Sequence, residues 1–123
     1  MEAIAVFFGG GFGACLRYLV SLFGKKYLGI TYWATFLINI LGCLFLGFVA
    51  TIVINHPNLM HHDLYLFLTT GIAGGFTTFS TFSLENIMLI KEGKTLTSII
   101  YMFLSLLFGI VGIYFGYALA NII

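Results

Sequence analysis

The sequence predicts an all-α integral membrane protein of four transmembrane helices, the third broken near its middle, and three observations carry that prediction. Of 123 residues, 61% are hydrophobic and only 7% charged, whereas a soluble domain carries about 25% charged residues on its water-facing surface. The charges gather at Glu2, at Lys25 with Lys26, at Asp63, and at Lys91, Glu92 and Lys94, leaving only Arg17 and Glu85 inside apolar stretches. Those stretches, Ile4–Phe23, Tyr32–Ile54, Leu64–Ile90 and Leu96–Ile123, each reach the roughly 20 residues that a helix needs to cross about 30 Å of hydrocarbon. Residues 1–123 therefore read as one transmembrane domain. The connections Gly24–Thr31, Asn55–Asp63 and Lys91–Thr95 are too short to hold a soluble one.

The first span opens on Met-Glu-Ala-Ile, with no basic segment before it and no small-residue cleavage pattern after it, so it is expected to stay in the mature protein. Gly9-Gly10-Gly11-Phe12-Gly13 looks like a phosphate loop, but no strand precedes it and the Lys-Ser/Thr of a P-loop is missing. Gly9 and Gly13 instead have the four-residue spacing that lets a second helix approach closely, as do Gly71 with Gly75 and Gly112 with Gly116. Arg17 costs roughly 2.5–3.5 kcal/mol at mid-membrane unless it snorkels or meets water. Two readings stand for it: snorkelling toward the lysine end, or a fixed positive charge lining an anion vestibule.

The second span carries Asn39 with Thr35 one turn before it, a polar stripe on one face. The carboxamide can bond a neighbouring helix or offer two N–H donors to an anion. In the third span, Gly71, Gly74 and Gly75 precede Thr77, Thr78, Ser80, Thr81 and Ser83. Glycine disfavours helix by about 1 kcal/mol against alanine, and hydroxyls can satisfy freed backbone groups, which predicts unwinding near Gly74–Thr78. Irregular backbone at that depth survives only where it is buried in protein or lines a cavity. Beyond it Phe79, Phe82 and Asn86 share one face, and Thr78, Thr81 and Glu85 the adjacent one. The phenylalanines are either core or, through the positive edges of their rings, weak partners for a passing anion. The fourth span aligns Tyr101, Ser105, Gly109, Gly112 and Gly116. Its glycines read as a packing seam, and its hydroxyls as either interfacial or pore-facing.

Net charge of +1 and four lysines confined to two loops argue against a nucleic-acid partner. Cys15 and Cys43 both fall inside spans, which predicts packing roles in place of a disulfide or a metal cluster. His56, His61 and His62 lie in the second connection with only Asp63 as a further ligand, and read as solvated.

Along its whole length the sequence resembles the Fluc (CrcB) family of fluoride ion channels, through the residues of Gly10–Tyr18, through Thr35 to Asn39, and above all through the ten-residue string Gly-Gly-Phe-Thr-Thr-Phe-Ser-Thr-Phe-Ser at Gly74–Ser83. The resemblance implies an antiparallel, dual-topology dimer with two pores, passive and selective for fluoride over chloride, that exports cytoplasmic fluoride through the bacterial cell membrane and confers fluoride resistance. It further implies that Phe79 and Phe82 are pore phenylalanines from opposite subunits, with Asn39 beside them. Ser80, Thr81 and Ser83 rank second, Tyr101 and Ser105 form a polar track, and Arg17 belongs to a vestibule. The carbonyls of Gly74 and Thr77 would hold a structural sodium ion at the dimer centre.

The sequence departs from the family pattern at Ala34, where relatives often have glycine, and in its charge. Lys25, Lys26, Lys91 and Lys94 all fall on one side of the membrane, which favours that side cytoplasmic. A homodimer inserting both ways should show little such bias, so an oppositely oriented homologous subunit is the alternative partner to a second copy. The rival function is a small four-helix secondary transporter, a proton-coupled drug exporter, for which Glu85 is the one embedded carboxylate.

Overall fold

The first helix, α1 (Glu2–Leu28), does not stop before its lysines as the sequence reading expects but runs through Lys25 and Lys26. Lysine is a good helix former, and in a last turn its charge meets the negative end of the helix dipole. The helix ends at Leu28 and is capped by Gly29, whose φ of 68° is the left-handed conformation that a glycine adopts without penalty. The chain enters α2 (Thr31–Asn55) almost at once. This computed structural model describes residues 1–123.

After the turn that holds Pro57, the third apolar stretch is built from successive pieces in place of one uniform helix. These are α3 (His62–Leu66), a π-helical segment Phe67–Ala73, the single turn α4 (Gly74–Phe76), and α5 (Phe79–Lys91). Between the last two, Thr77 and Thr78 are extended, with ψ of 156° and 120°. Gly93, at φ 79°, turns the chain into α6 (Thr95–Ile122). Three helices, α1, α2 and α6, are long and apolar enough to cross a membrane.

Glycines decide how these elements meet. α2 lies along α6, where a methyl group at Gly116 would overlap the Leu44 carbonyl and one at Gly47 the Ile113 carbonyl. α1 lies along the π-helical segment and α4. There Gly9 faces Gly71 and the Phe67 carbonyl, Gly13 faces the Ile72 carbonyl, and Gly75 faces Gly10. With no water-driven force to join apolar helices in lipid, such backbone contact supplies the dispersion that does. Cys43 belongs to this packing beside Gly109 and Gly112. Cys15 does not: it is exposed, because the contacting stripe of α1 runs through Gly9 and Gly13 and Cys15 falls on the opposite side. Only 20 of 123 residues are buried, so most of the apolar surface faces outward and calls for an apolar solvent or a partner. At the end remote from the lysines, His62 reaches Glu2 at 3.4 Å, both exposed.

Candidate functional site

The site begins with the break after Phe76 and the groups that hold it. Thr78 is clasped on both sides by one carboxamide: its N–H donates to Asn39 Oδ1 at 2.8 Å, and Asn39 Nδ2 donates to its carbonyl at 3.2 Å. Its hydroxyl caps α5 by accepting the Thr81 N–H at 3.2 Å, as N-cap threonines do. Thr77 ends the preceding turn by donating both its N–H, at 3.0 Å, and its hydroxyl, at 2.9 Å, to the Ala73 carbonyl. Gly42 makes room for it, since a methyl group there would overlap the Thr77 side chain. Arg17 reaches across from α1, and its Nε donates to the Gly75 carbonyl at 3.0 Å.

These diversions free particular carbonyls. In a continuous helix the Gly74 carbonyl would take the Thr78 N–H, which is given to Asn39, and the Thr77 carbonyl would take the Thr81 N–H, which is given to the Thr78 hydroxyl. In the single chain Gly74 is exposed and Thr77 half-buried. Gly74 and Thr77, with Thr70, Thr78, Asn39 and Phe79, line an open cavity of about 480 Å³.

Past the break the aromatic rings take over. Phe79 is 79% exposed and its ring centre lies 5.9 Å from that of Phe82. Phe82 in turn meets Tyr101 edge to face at 5.0 Å. Tyr101 is buried, and its hydroxyl donates at 3.5 Å to Glu85 Oε2, whose other oxygen accepts from Thr35. One turn along α6 from Tyr101, the Ser105 hydroxyl is buried with no hydrogen-bond partner. The structure thus groups the expected residues in two adjoining sets, Asn39, Gly74, Thr77 and Phe79 around the cavity, and Phe82 and Tyr101 beside Glu85. Ser80 and Ser83 lie on the exposed side of α5, the Ser83 hydroxyl donating to the Phe79 carbonyl at 2.9 Å and the Ser80 hydroxyl 3.4 Å from that of Thr78. Thr81 is half-buried.

Thr35 and Glu85 carry more of the site than the sequence reading gives them. The signal is present in the spacing, Glu85 being three residues after Phe82 and Thr35 four before Asn39, but it shows that they share faces and not that those faces meet.

A family model described as "CrcB-like protein, Camphor Resistance (CrcB)" matches residues 4–117. A protein of Ligilactobacillus salivarius named fluoride-specific ion channel FluC 1 is 41% identical over 113 residues, covering 92% of this chain and 94% of its own. Proteins named fluoride-specific ion channel FluC in Flavobacterium psychrophilum and Clostridium perfringens are each 40% identical, over 114 and 122 residues, covering 92% and 98% of this chain and 91% and 94% of their own. With the match running from the start of α1 almost to the end of α6, the chain belongs to the CrcB family.

Proposed function

We propose that this protein is a fluoride-selective passive channel that lets fluoride leave the cytoplasm of a bacterial cell, conferring fluoride resistance. The observation that carries the reading is the set of donors around the break. They are a carboxamide, hydroxyls and ring edges, weak partners that can replace water around a small anion without trapping it. Asn39 keeps one N–H beyond its bond to Thr78, and Ser105 keeps its hydroxyl. Relatives over nearly the whole length bear the name of that activity.

In this reading His62–Lys91 is one membrane-crossing segment interrupted at Thr77–Thr78, giving four transmembrane helices. The working unit is an antiparallel dimer in the bacterial cell membrane. Phe79, so exposed in the single chain, meets the pore of the assembled dimer, and Phe79 and Phe82 of opposite subunits serve each pore with Asn39, Tyr101 and Ser105. Thr81, Ser80 and Ser83 are secondary, and Arg17, bonded to Gly75, edges the vestibule. A structural sodium ion fits the carbonyls of Gly74 and Thr77, because both have lost their helical donors and irregular carbonyls suit that cation. When bound, it would supply positive charge that holds the freed oxygens of two subunits together. The partner is a second copy or an oppositely oriented homologous subunit.

A second reading, proton-coupled export, is favoured by one observation, the embedded Glu85 carboxylate held by Thr35 and Tyr101. Electrogenic efflux separates the two. Purified protein in liposomes loaded with potassium fluoride should release fluoride when a potassium ionophore relieves the charge, and an uncoupler should not change the rate. Release that requires a proton gradient would replace the channel with the exporter.

A further inference from the structure

A second carboxamide, Asn86, is buried between α5 and α6 and lies outside both sets of site residues described above. It is 4% exposed, and its partner Ser98 is completely buried. Asn86 Nδ2 donates to the Phe82 carbonyl at 2.9 Å, and Asn86 Oδ1 accepts from the Ser98 hydroxyl at 2.8 Å. That hydroxyl also lies 3.4 Å from the Asn86 carbonyl. The bonds therefore run from the backbone of Phe82, through one side chain, to a residue of α6 that stands three positions before Tyr101. Phe82 and Tyr101 are the pair whose rings meet edge to face at 5.0 Å.

A buried amide and hydroxyl are costly in an apolar setting unless bonded, and a leucine–alanine contact would join the same helices without that risk. What the polar pair adds is direction. A hydrogen bond fixes the rotation of α5 about its own axis against α6, whereas apolar contact tolerates slippage. The rotation of α5 decides where the edge of the Phe82 ring points.

We propose that Asn86 and Ser98 are positioning residues for permeation: together they hold the Phe82 ring against Tyr101 in the orientation that an anion meets. The proposal rests on the reading of Phe82 and Tyr101 as pore residues. Neither Asn86 nor Ser98 touches the ion. Both act through the ring pair.

The experiment measures fluoride efflux per folded protein, and the fluoride-to-chloride flux ratio, for Ser98→Ala, Asn86→Leu and the double variant in liposomes. Asn121→Ala is the control. Asn121 makes the same kind of bonds, to the Tyr117 carbonyl at 3.1 Å and to Asn55 at 2.8 Å, at the far end of α6. Each single variant should lower efflux about tenfold and lower the flux ratio, and the double should be no worse than the worse single, because both remove one coupled unit. Asn121→Ala should match wild type. Wild-type efflux and flux ratio in Ser98→Ala, which keeps the fold because it removes a single oxygen, would overturn the proposal even if Asn86→Leu fails to assemble. So would losses that multiply in the double variant, or an equal loss in Asn121→Ala. Absence of efflux from the wild-type protein would instead overturn the reading of the pore.

Discussion

At the scale of single residues the most informative side chain is Asn39, whose oxygen and one of whose N–H groups are both committed to Thr78. The carboxamide thus holds the break open as well as facing the cavity. Asn39→Asp keeps the acceptor for the Thr78 N–H but replaces the donors by a negative charge in the path of an anion. It should abolish fluoride flux while the protein still purifies as a folded assembly, which size-exclusion and flux measurements on one preparation would check. Asn39→Leu leaves both Thr78 backbone groups without a partner, at about 1–3 kcal/mol each, and should lower the melting temperature. The phenylalanines divide differently. Phe79→Ile and Phe82→Ile remove a polarised ring edge and should each cut flux sharply per folded protein. Phe76→Ile alters a ring that lines an apolar cavity with Phe12, Leu16 and Leu41, and should cost stability before flux. An equal flux loss in all three would take the ring edges out of the mechanism. The sequence exposes Asn39, Phe79 and Phe82 because polar and paired aromatic residues stand out against an apolar span. It cannot show that the Asn39 amide turns to the backbone of Thr78, because that bond joins residues far apart in the chain.

Elements follow from glycines more than from hydrophobic periodicity, since most of the surface of these helices is apolar. The four-residue glycine spacings of Gly9 with Gly13, Gly71 with Gly75, and Gly112 with Gly116 are legible in the sequence, and all six lie at helix contacts. Less legible is which glycine is used: Gly11 faces open space, although it stands in the same run. Gly116→Ala would drive a methyl group into the Leu44 carbonyl and sit 2.6 Å from the Phe48 amide. Overpacking of this kind costs about 1–3 kcal/mol, so Gly116→Ala should lower thermal stability clearly. Gly11→Ala should leave the fold intact, with any change within about 0.5 kcal/mol apart from a gain in helix propensity. Thermal unfolding in detergent compares the two. The end of α1 lies beyond the place the sequence suggests because lysines punctuate a membrane span but do not stop a helix. The π-helical segment Phe67–Ala73 has no signature in composition either. It arises where the chain must keep Gly71 and Gly75 against α1 while bringing Thr77 to Gly42.

At the scale of the whole molecule, three open features meet on one side of the chain. Phe79 is exposed, the cavity beside it is open, and the carbonyls of Gly74 and Thr77 have lost their helical donors. An antiparallel second subunit and a sodium ion complete all three in the reading proposed. Exchange of sodium for a bulky organic cation should then weaken the assembly, read as a fall in its melting temperature, and returning sodium to the same buffer should recover it. The membrane class and the glycine- and hydroxyl-rich stretch in which Thr77 and Thr78 leave the helix are legible because lipid forbids unpaired backbone and water-loving faces. Pairing of Thr35 with Glu85 and of Asn86 with Ser98 is not, because it depends on how the helices rotate against one another. The central claim, a pore that selects fluoride by weak donors around the break, is tested most directly by the reversal potential of the purified protein in a planar bilayer with high fluoride and low chloride on one side and the same two concentrations exchanged on the other. The account predicts a potential close to the fluoride equilibrium value, with current carried by fluoride alone. A reversal potential near zero, with chloride carrying comparable current, would contradict it.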